Sequence, residues 1–501
     1  MLEKIDLTKS IDKKTYRKVM DESVQKLGFL QRECKAAGIP VVIVFEGMGA
    51  AGKGVQINRL IQALDPRGFD VYACNRPTEE ERLHPFLWRY WIKTPAKGRM
   101  AIFDRSWYRI VQVDRFDGLT PECRLAAAYQ DILSFEKQLS DDGTVMIKLF
   151  LYIDKAEQRK RFKKLEESRE TAWRVTKEDW KRNREFERYL RINEEMLENT
   201  DTDYAPWSLI EAVDKDYGAL KIITSVIDRL EYELDLRKKT GEPGREGAEA
   251  SHVRERFKNG VLSGIDLSKT MTEERYREDL KKYQKRLEEL HSEIYLLRIP
   301  VIIGFEGWDA GGKGGAIKRL TSHLDPRGYQ VNPIAAPNDI EKVHHYLWRF
   351  WKDMPKAGHM AIFDRTWYGR VMVERIEGFC SSAEWKRAYQ EINEMESHMV
   401  NAGAVVLKFW LHIDKEEQAR RFKERQDNPQ KQWKITDEDW RNREKWAQYE
   451  EAVNEMLIRT STTYAPWIIV EGNDKRYARV KVLKTVVNAL EKKIKEVKNE
   501  A

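Results

Sequence analysis

The sequence predicts an α/β fold built twice in tandem, each copy a parallel β-sheet sandwiched between helices. Three observations carry that prediction. The chain falls on itself without a gap at an offset of 260 residues; apolar, strand-like runs alternate with helical segments; and a glycine-rich loop joins the leading strand of each copy to a helix.

The repeat is explicit in the residues. Ile5-Asp6-Leu7 lands on Ile265-Asp266-Leu267, and Ala51-Gly52-Lys53-Gly54 lands on Gly311-Gly312-Lys313-Gly314. Phe103-Asp104-Arg105 lands on Phe363-Asp364-Arg365, and Ala205-Pro206-Trp207 on Ala465-Pro466-Trp467. A period this long marks a doubled domain, not a solenoid. Between the copies, Gly241, Pro243, Gly244 and Gly247 stand among charged residues, which is linker composition. The expected organisation is an N-terminal domain at 1–240, a linker at 241–259 and a C-terminal domain at 260–501.

Within the second copy, the charged segment near Thr272–Leu297 reads as an amphipathic helix. Ile299–Glu306 follows as a nearly continuous apolar run, the pattern of a strand buried on both faces. Asp325-Pro326-Arg327-Gly328 is a turn signal closing the next helix. Further strands are expected at Met360–Asp364, Val405–Ile413 and Trp467–Glu471, with helices between them.

The chain is 41% hydrophobic and 35% charged, a globular composition, and its formal net charge of +7 accommodates a polyanion without demanding nucleic acid. Runs such as Val41–Phe45 and Ile299–Phe305 are too short to span a bilayer, and the opening MLEKIDLTKS lacks the apolar core of a signal peptide. Cys34, Cys74, Cys123 and Cys380 form no C-x-x-C pair. A cytoplasmic protein with neither membrane nor nucleic-acid partner is expected; self-association is left open.

Gly307-Trp308-Asp309-Ala310-Gly311-Gly312-Lys313-Gly314 fits G-x-x-x-x-G-K between a strand and a helix. In such a P-loop, backbone N–H groups at Gly307, Ala310, Gly311, Gly312 and Gly314 close round phosphate oxygens. Lys313 adds a point charge, and the helix N-terminus its positive dipole end. The Ser/Thr that ordinarily follows the lysine and ligates magnesium is here Gly314, so another oxygen must take that role. Asp309, inside the loop, is the candidate, and Asp364, ending an apolar strand, is the second carboxylate. The pair should flank magnesium, with manganese as the alternative metal. Asp309 is the one assigned to orient the acceptor or take its proton.

Arg365 and Arg370 follow Asp364. From Gln418 to Lys434 stand six basic residues and two acidic ones, with Arg421 and Arg425 on one helix face. That segment is expected to form a helical lid neutralising the transferring phosphoryl group. Most of the sixteen tryptophans should be core anchors. Trp348 is the candidate to stack on a base, with Arg349, Glu374 and Arg375 joining it as nucleotide-binding candidates. His344-His345 has no third ligand at metal spacing.

These motifs together resemble the type 2 polyphosphate kinases. The matching runs are Phe305–Gly314, Tyr346-Leu347-Trp348-Arg349, Phe363–Arg370, Val373-Glu374-Arg375, Trp433-Lys434, Ala465-Pro466-Trp467 and Asn473-Asp474-Lys475-Arg476. The resemblance covers nearly all of both halves. It implies two P-loop kinase-like domains, magnesium dependence, a lid, and phosphoryl transfer between inorganic polyphosphate and a nucleotide. The doubled form resembles members that convert AMP to ADP. Carried over by position, Asp309 and Asp364 match the family's essential aspartates and Lys313 its loop lysine. Arg365, Arg370, Arg421 and Arg425 match its basic phosphate-binding positions.

The first half departs from the pattern: Gly49 stands for Asp309, Arg109-Ile110 for Gly369-Arg370, and Asp114 for Glu374. One metal carboxylate and one arginine are thus expected to be lost. The half should be a weak catalyst that supports its twin or binds polyphosphate. Competing readings are a polyphosphate-dependent nucleoside diphosphate kinase, an ATP-dependent nucleotide kinase, and a scaffold or nucleic-acid-binding protein with two dead P-loops.

Overall fold

The computed structural model describes residues 1–240, 260–430, 432, 435 and 437–500. The expected linker at 241–259, and Trp433 and Lys434 of the basic segment, lie outside the described residues. The chain divides into two compact units, each holding one five-stranded sheet.

In the first unit the strands are β1 (Val41–Gly47), β2 (Phe69–Ala73), β3 (Met100–Asp104), β4 (Val145–Tyr152) and β5 (Trp207–Glu211), all parallel in the order β2-β3-β1-β4-β5. The second unit repeats this with β6 (Val301–Gly307), β7 (Tyr329–Pro333), β8 (Met360–Asp364), β9 (Val405–His412) and β10 (Trp467–Glu471), in the order β7-β8-β6-β9-β10. Both sheets carry helices between successive strands, as parallel connections require. The leading strand sits at the centre of its sheet, so the loop that follows opens over the carboxyl ends of its neighbours, where ligands bind in open α/β sheets.

Central strands are sealed on both faces: Val301–Glu306 are buried throughout, which explains the unbroken apolar run. The edge strands β2 and β7 are not, with most of Tyr329–Pro333 exposed or half-buried. They were not predicted, because each is only five residues long, is interrupted by polar residues and leaves most of its side chains exposed or half-buried. Helix Glu273–Leu296 presents Leu287, Leu290 and Ile294 at helical spacing to a core shared with Val482, Leu483, Val486 and Leu490 of helix Lys475–Glu500. Among the described residues no helix is long and apolar enough to cross a membrane.

Candidate active site

The loop Gly307–Gly312 takes its shape from its neighbours. Gly307 has φ 146°, and a Cβ there would sit 2.5 Å from the Leu411 carbonyl oxygen on β9, so only glycine fits. Gly312, at φ 111°, caps helix Lys313–Thr321 in a left-handed conformation. Lys313 Nζ donates to the Gly307 carbonyl at 2.8 Å, which places the ammonium over the loop.

Behind the loop stands Arg421. Its Nη1 donates to the carbonyls of Ala310 (2.9 Å) and Gly311 (3.1 Å), and its Nη2 to those of Gly472 and Asn473, while Nε pairs with Glu417. The side chain is buried. This corrects the phosphate-binding role expected of Arg421: its donors are committed to backbone carbonyls, so it holds the loop instead of gripping the ligand. Arg425 lies one turn further along helix Lys415–Gln426, half-buried.

Asp364 ends β8 in register with Phe305 on β6, which brings it beside the loop. No side chain among the described residues bonds its carboxylate. Glu306, the residue before Gly307, fixes this corner. Buried, it accepts from both the backbone N–H (2.7 Å) and the hydroxyl (2.8 Å) of Thr366. Burial pushes its carboxyl up from the usual range, with the Lys313 charge opposing. Arg365, between Asp364 and Thr366, has φ 68° and donates its N–H to the Phe305 carbonyl at 3.0 Å. A non-glycine residue held there stores strain that the surrounding bonds must sustain. Its guanidinium reaches Asp309 Oδ1 at 3.7 Å. Asp309 Oδ2 accepts from Asn442 Nδ2 at 3.1 Å, and the Asp309 carbonyl from Gln418 Nε2 at 3.1 Å.

Loop, lysine, Asp309, Asp364 and Arg365 therefore share one corner of the sheet. Among the described residues no group of three histidines, cysteines or acids could alone enclose a metal. Two carboxylates with oxygen lone pairs left over fit magnesium, which takes one or two carboxylates and completes its shell with water and phosphate oxygens.

Arg370 pairs with Glu374 at 3.0 Å and lies 4.4 Å over the Tyr346 ring; burial raises the Glu374 carboxyl, and Arg370 opposes it. Arg349 Nη2 donates to Ala335, next to Ile334, whose N–H bonds the Asp364 carbonyl. Two nucleotide-binding candidates are placed otherwise. Trp348 is buried, with Lys352 Nζ 4.6 Å over its ring, so stacking on a base is not supported. Arg375 is committed to Glu455 (2.7 Å), Tyr389 and the Trp385 ring.

Sequence reasoning missed Glu306, Gln418, Asn442, and Trp446, whose ring stacks on Trp308 at 3.8 Å and 11°. Trp308 Nε1 in turn donates to His412 Nδ1 at 3.0 Å. The one available signal was Glu306: an acid ends the leading strand in both halves, opposite a hydroxyl residue, and Glu46 indeed accepts from Ser106 at 2.9 Å.

The first half shows a second correction. Its arginine is not lost. Arg109, one residue earlier than the position matching Arg370, pairs with Asp114 at 2.9 Å; the shorter acid and the earlier arginine rebuild the Arg370–Glu374 pair.

Fold and site define a tandem P-loop phosphotransferase. The sequence profile of the polyphosphate kinase 2 family matches residues 10–238 and again 270–498, and the chain belongs to that family. A polyphosphate:AMP phosphotransferase of Pseudomonas aeruginosa is 42% identical over 99% of this chain and 100% of its own length. One from Pseudomonas syringae pv. tomato is 40% identical over 98% of each chain. The crystal structure of a polyphosphate kinase 2 from Pseudomonas aeruginosa PA01 superposes with a TM-score of 0.86 at 39% identity, covering 99% of this chain and 100% of the other.

Proposed function

We propose that the second half, residues 260–501, transfers the terminal phosphoryl group of inorganic polyphosphate to AMP, giving ADP. What supports this is that Lys313 and Asp309 of the glycine-rich loop lie beside Asp364 and Arg365 at the end of β8, while the first half has Gly49 in place of Asp309. Full-length similarity to polyphosphate:AMP phosphotransferases supports AMP as acceptor.

An oxygen of the AMP phosphate attacks the terminal phosphorus. The bond from that phosphorus to the bridging oxygen breaks, and the chain leaves one phosphate shorter. Backbone N–H groups and Lys313 hold the donor phosphates, and Arg365 faces the charge spread over the transferring oxygens. Asp309, held by Asn442 and Gln418, orients the acceptor and takes its proton when it arrives singly ionised. Magnesium, or manganese with the same oxygen preference, would be held by Asp309 and Asp364 and would neutralise phosphate charge. The four cysteines are free thiols, which fits a reducing cytoplasmic setting.

The test is ADP formation from AMP and polyphosphate with magnesium and no ATP. Turnover is expected. An absolute need for ATP would favour the ATP-dependent nucleotide kinase, and a preference for ADP or GDP the diphosphate kinase.

A further inference from the structure

The first half keeps the cradle and changes what faces it. Gly47 (φ 130°), Ala50 (φ 58°) and Gly52 (φ 99°) repeat the loop, and Lys53 Nζ donates to Gly47 at 3.0 Å. Gln158 Nε2 holds the Gly49 carbonyl at 3.1 Å, as Gln418 holds that of Asp309. The backbone that receives phosphate is thus the same.

A cleft opens in front of this loop, lined by Gly47, Gly49, Arg105, Arg109, Gln158 and Arg182 among others. Two acids also line it, and both are committed. Glu46 bonds Ser106, and Asp179 caps its helix through Thr176 and pairs with Arg182 at 3.3 Å. Two positions differ from the second half in a concerted way. Gly49 replaces the carboxylate of Asp309, and Arg182 replaces Asn442, the residue that donates to that carboxylate. Arg182 is held in place by Asp117 at 2.9 Å. Arg109, only 7% exposed, keeps a buried Nε with no hydrogen-bond partner. Burial, first, and then the Arg105 charge disfavour the Lys53 cation, with Asp104, Glu46 and Asp179 opposing; a bound anion would add to that opposition. Asp104, the counterpart of Asp364, remains, but the loss of the loop acid and the gain of a guanidinium leave one carboxylate where the second half has two, and one more protein cation beside the loop.

We propose that this cleft binds a run of phosphates of the polyphosphate chain without a metal ion, held by the loop N–H groups, Lys53, Arg105 and Arg182, and transfers nothing. The inference rests on polyphosphate being the donor. It gives the first half a reason to keep its loop while losing the metal carboxylate: guanidinium groups bind tandem phosphates by charge-assisted hydrogen bonds but cannot do the work of two carboxylates and a metal.

The experiment is calorimetric titration of the full chain with sodium tripolyphosphate in excess EDTA. Wild type is expected to bind one equivalent. Lys53→Ala should weaken this at least tenfold and Arg182→Asn several-fold; Lys313→Ala should leave the equivalent in place, because without a metal the Asp309 and Asp364 carboxylates oppose phosphate on the second loop. Arg182→Asn only installs the residue used at the matching position of the second half, so it guards against a folding artefact in Lys53→Ala. Metal-free binding that is absent, survives both first-half substitutions, or disappears with Lys313→Ala overturns the proposal. So does ATP binding more tightly than tripolyphosphate, which would make the cleft a nucleotide site. These outcomes are read without turnover, so they stay distinct from a failure of AMP phosphorylation by polyphosphate.

Discussion

Arg161 in the first half and Arg421 in the second do the same thing with matching partners. Arg161 donates to the carbonyls of Ala50, Ala51, Ala212 and Val213, and Arg421 to those of Ala310, Gly311, Gly472 and Asn473. The buried lysines repeat equally well: Lys148 bonds Tyr108, Glu136 and Thr200, and Lys408 bonds Tyr368, Glu396 and Thr460. On the open side of the loop the halves part. Asp309 corresponds to Gly49, Asn442 to Arg182, and the Trp308–Trp446 stack to Met48 and Phe186. One chain thus carries its own control. The braces behind the loop are kept in both copies, and so are the lysine and the strand-end aspartate (Lys53 and Lys313, Asp104 and Asp364); what differs is the carboxylate inside the loop and the side chains in front of it.

The strongest way to break that division is to neutralise the carboxylates one at a time. Asp309→Asn and Asp364→Asn should each cut ADP formation by on the order of 10²–10³ or more, because preorganised charge dominates phosphoryl transfer. Thermal unfolding should barely move. Asp104→Asn, in the position matching Asp364, should leave steady-state turnover within about twofold. If Asp104→Asn costs as much as Asp364→Asn, the first half is a working site and the division fails.

A brace and a catalytic group can be told apart by the second comparison. Arg421→Lys keeps the charge but cannot reach four carbonyls, so the loop should shift; displacements of about 1 Å can cost on the order of 10²-fold. We expect kcat to fall by roughly 10- to 100-fold with the AMP KM little changed, since the acceptor does not touch this residue. Arg161→Lys should destabilise its own half similarly, by hydrogen exchange, and leave kcat alone. A kcat loss in Arg161→Lys would mean that the two loops act together.

What the sequence disclosed follows the same division. The loop, Lys313 and Asp364 were readable because glycine spacing and an acid ending an apolar strand are local signals. The edge strands were not, because Phe69–Ala73 and Tyr329–Pro333 are short, interrupted by polar residues and largely exposed or half-buried. Arg421 looked like a phosphate ligand because its partners are carbonyls 51 to 111 residues away, which no spacing rule connects. Arg109–Asp114 looked like a loss because position-by-position matching cannot register an arginine that moves back one residue while its acid shortens.

Acid should also separate the halves. His398 and His412 are buried, and burial pulls them down to about 3 and about 4. Their counterparts are Gln138 and Tyr152. A depressed histidine contributes nothing adverse above its unfolded value near 6.5. Below that value the unfolded chain binds the proton and the folded one does not, so stability falls until the folded pKa is reached. At pH 4.5 the cost is about 2–3 kcal/mol per histidine, an order-of-magnitude figure from one pKa unit being about 1.4 kcal/mol. Hydrogen exchange at pH 7.5 and 4.5, corrected for intrinsic rates, should show β6 and β9 losing more protection than β1 and β4. Equal losses would mean that carboxylates shared by both halves govern acid stability. His412→Asn, which keeps an acceptor for Trp308, should remove part of the difference.

The smallest effect expected is also the sharpest probe of what the first half lacks. Gly49 has no left-handed φ, and a Cβ there meets Phe162 Cζ at 3.3 Å and Gln158 Nε2 at 3.4 Å, so an aspartate enters with a slight adjustment. With Arg109–Asp114 already rebuilt, the first obstacle is Arg182, which stands where Asn442 donates to Asp309. In Gly49→Asp the new carboxylate would face a guanidinium and be neutralised by it instead of by a metal, a pairing that costs little and leaves no open oxygen. In an Asp309→Asn background, where the second half is silent, Gly49→Asp alone should therefore change ADP formation by less than about twofold. Gly49→Asp with Arg182→Asn should raise it several-fold yet stay far below wild type, because the Trp308–Trp446 stack has no counterpart at Met48 and Phe186. A large gain from Gly49→Asp by itself would show that Arg182 is no obstacle, and that the two halves differ in chemistry by a single carboxylate.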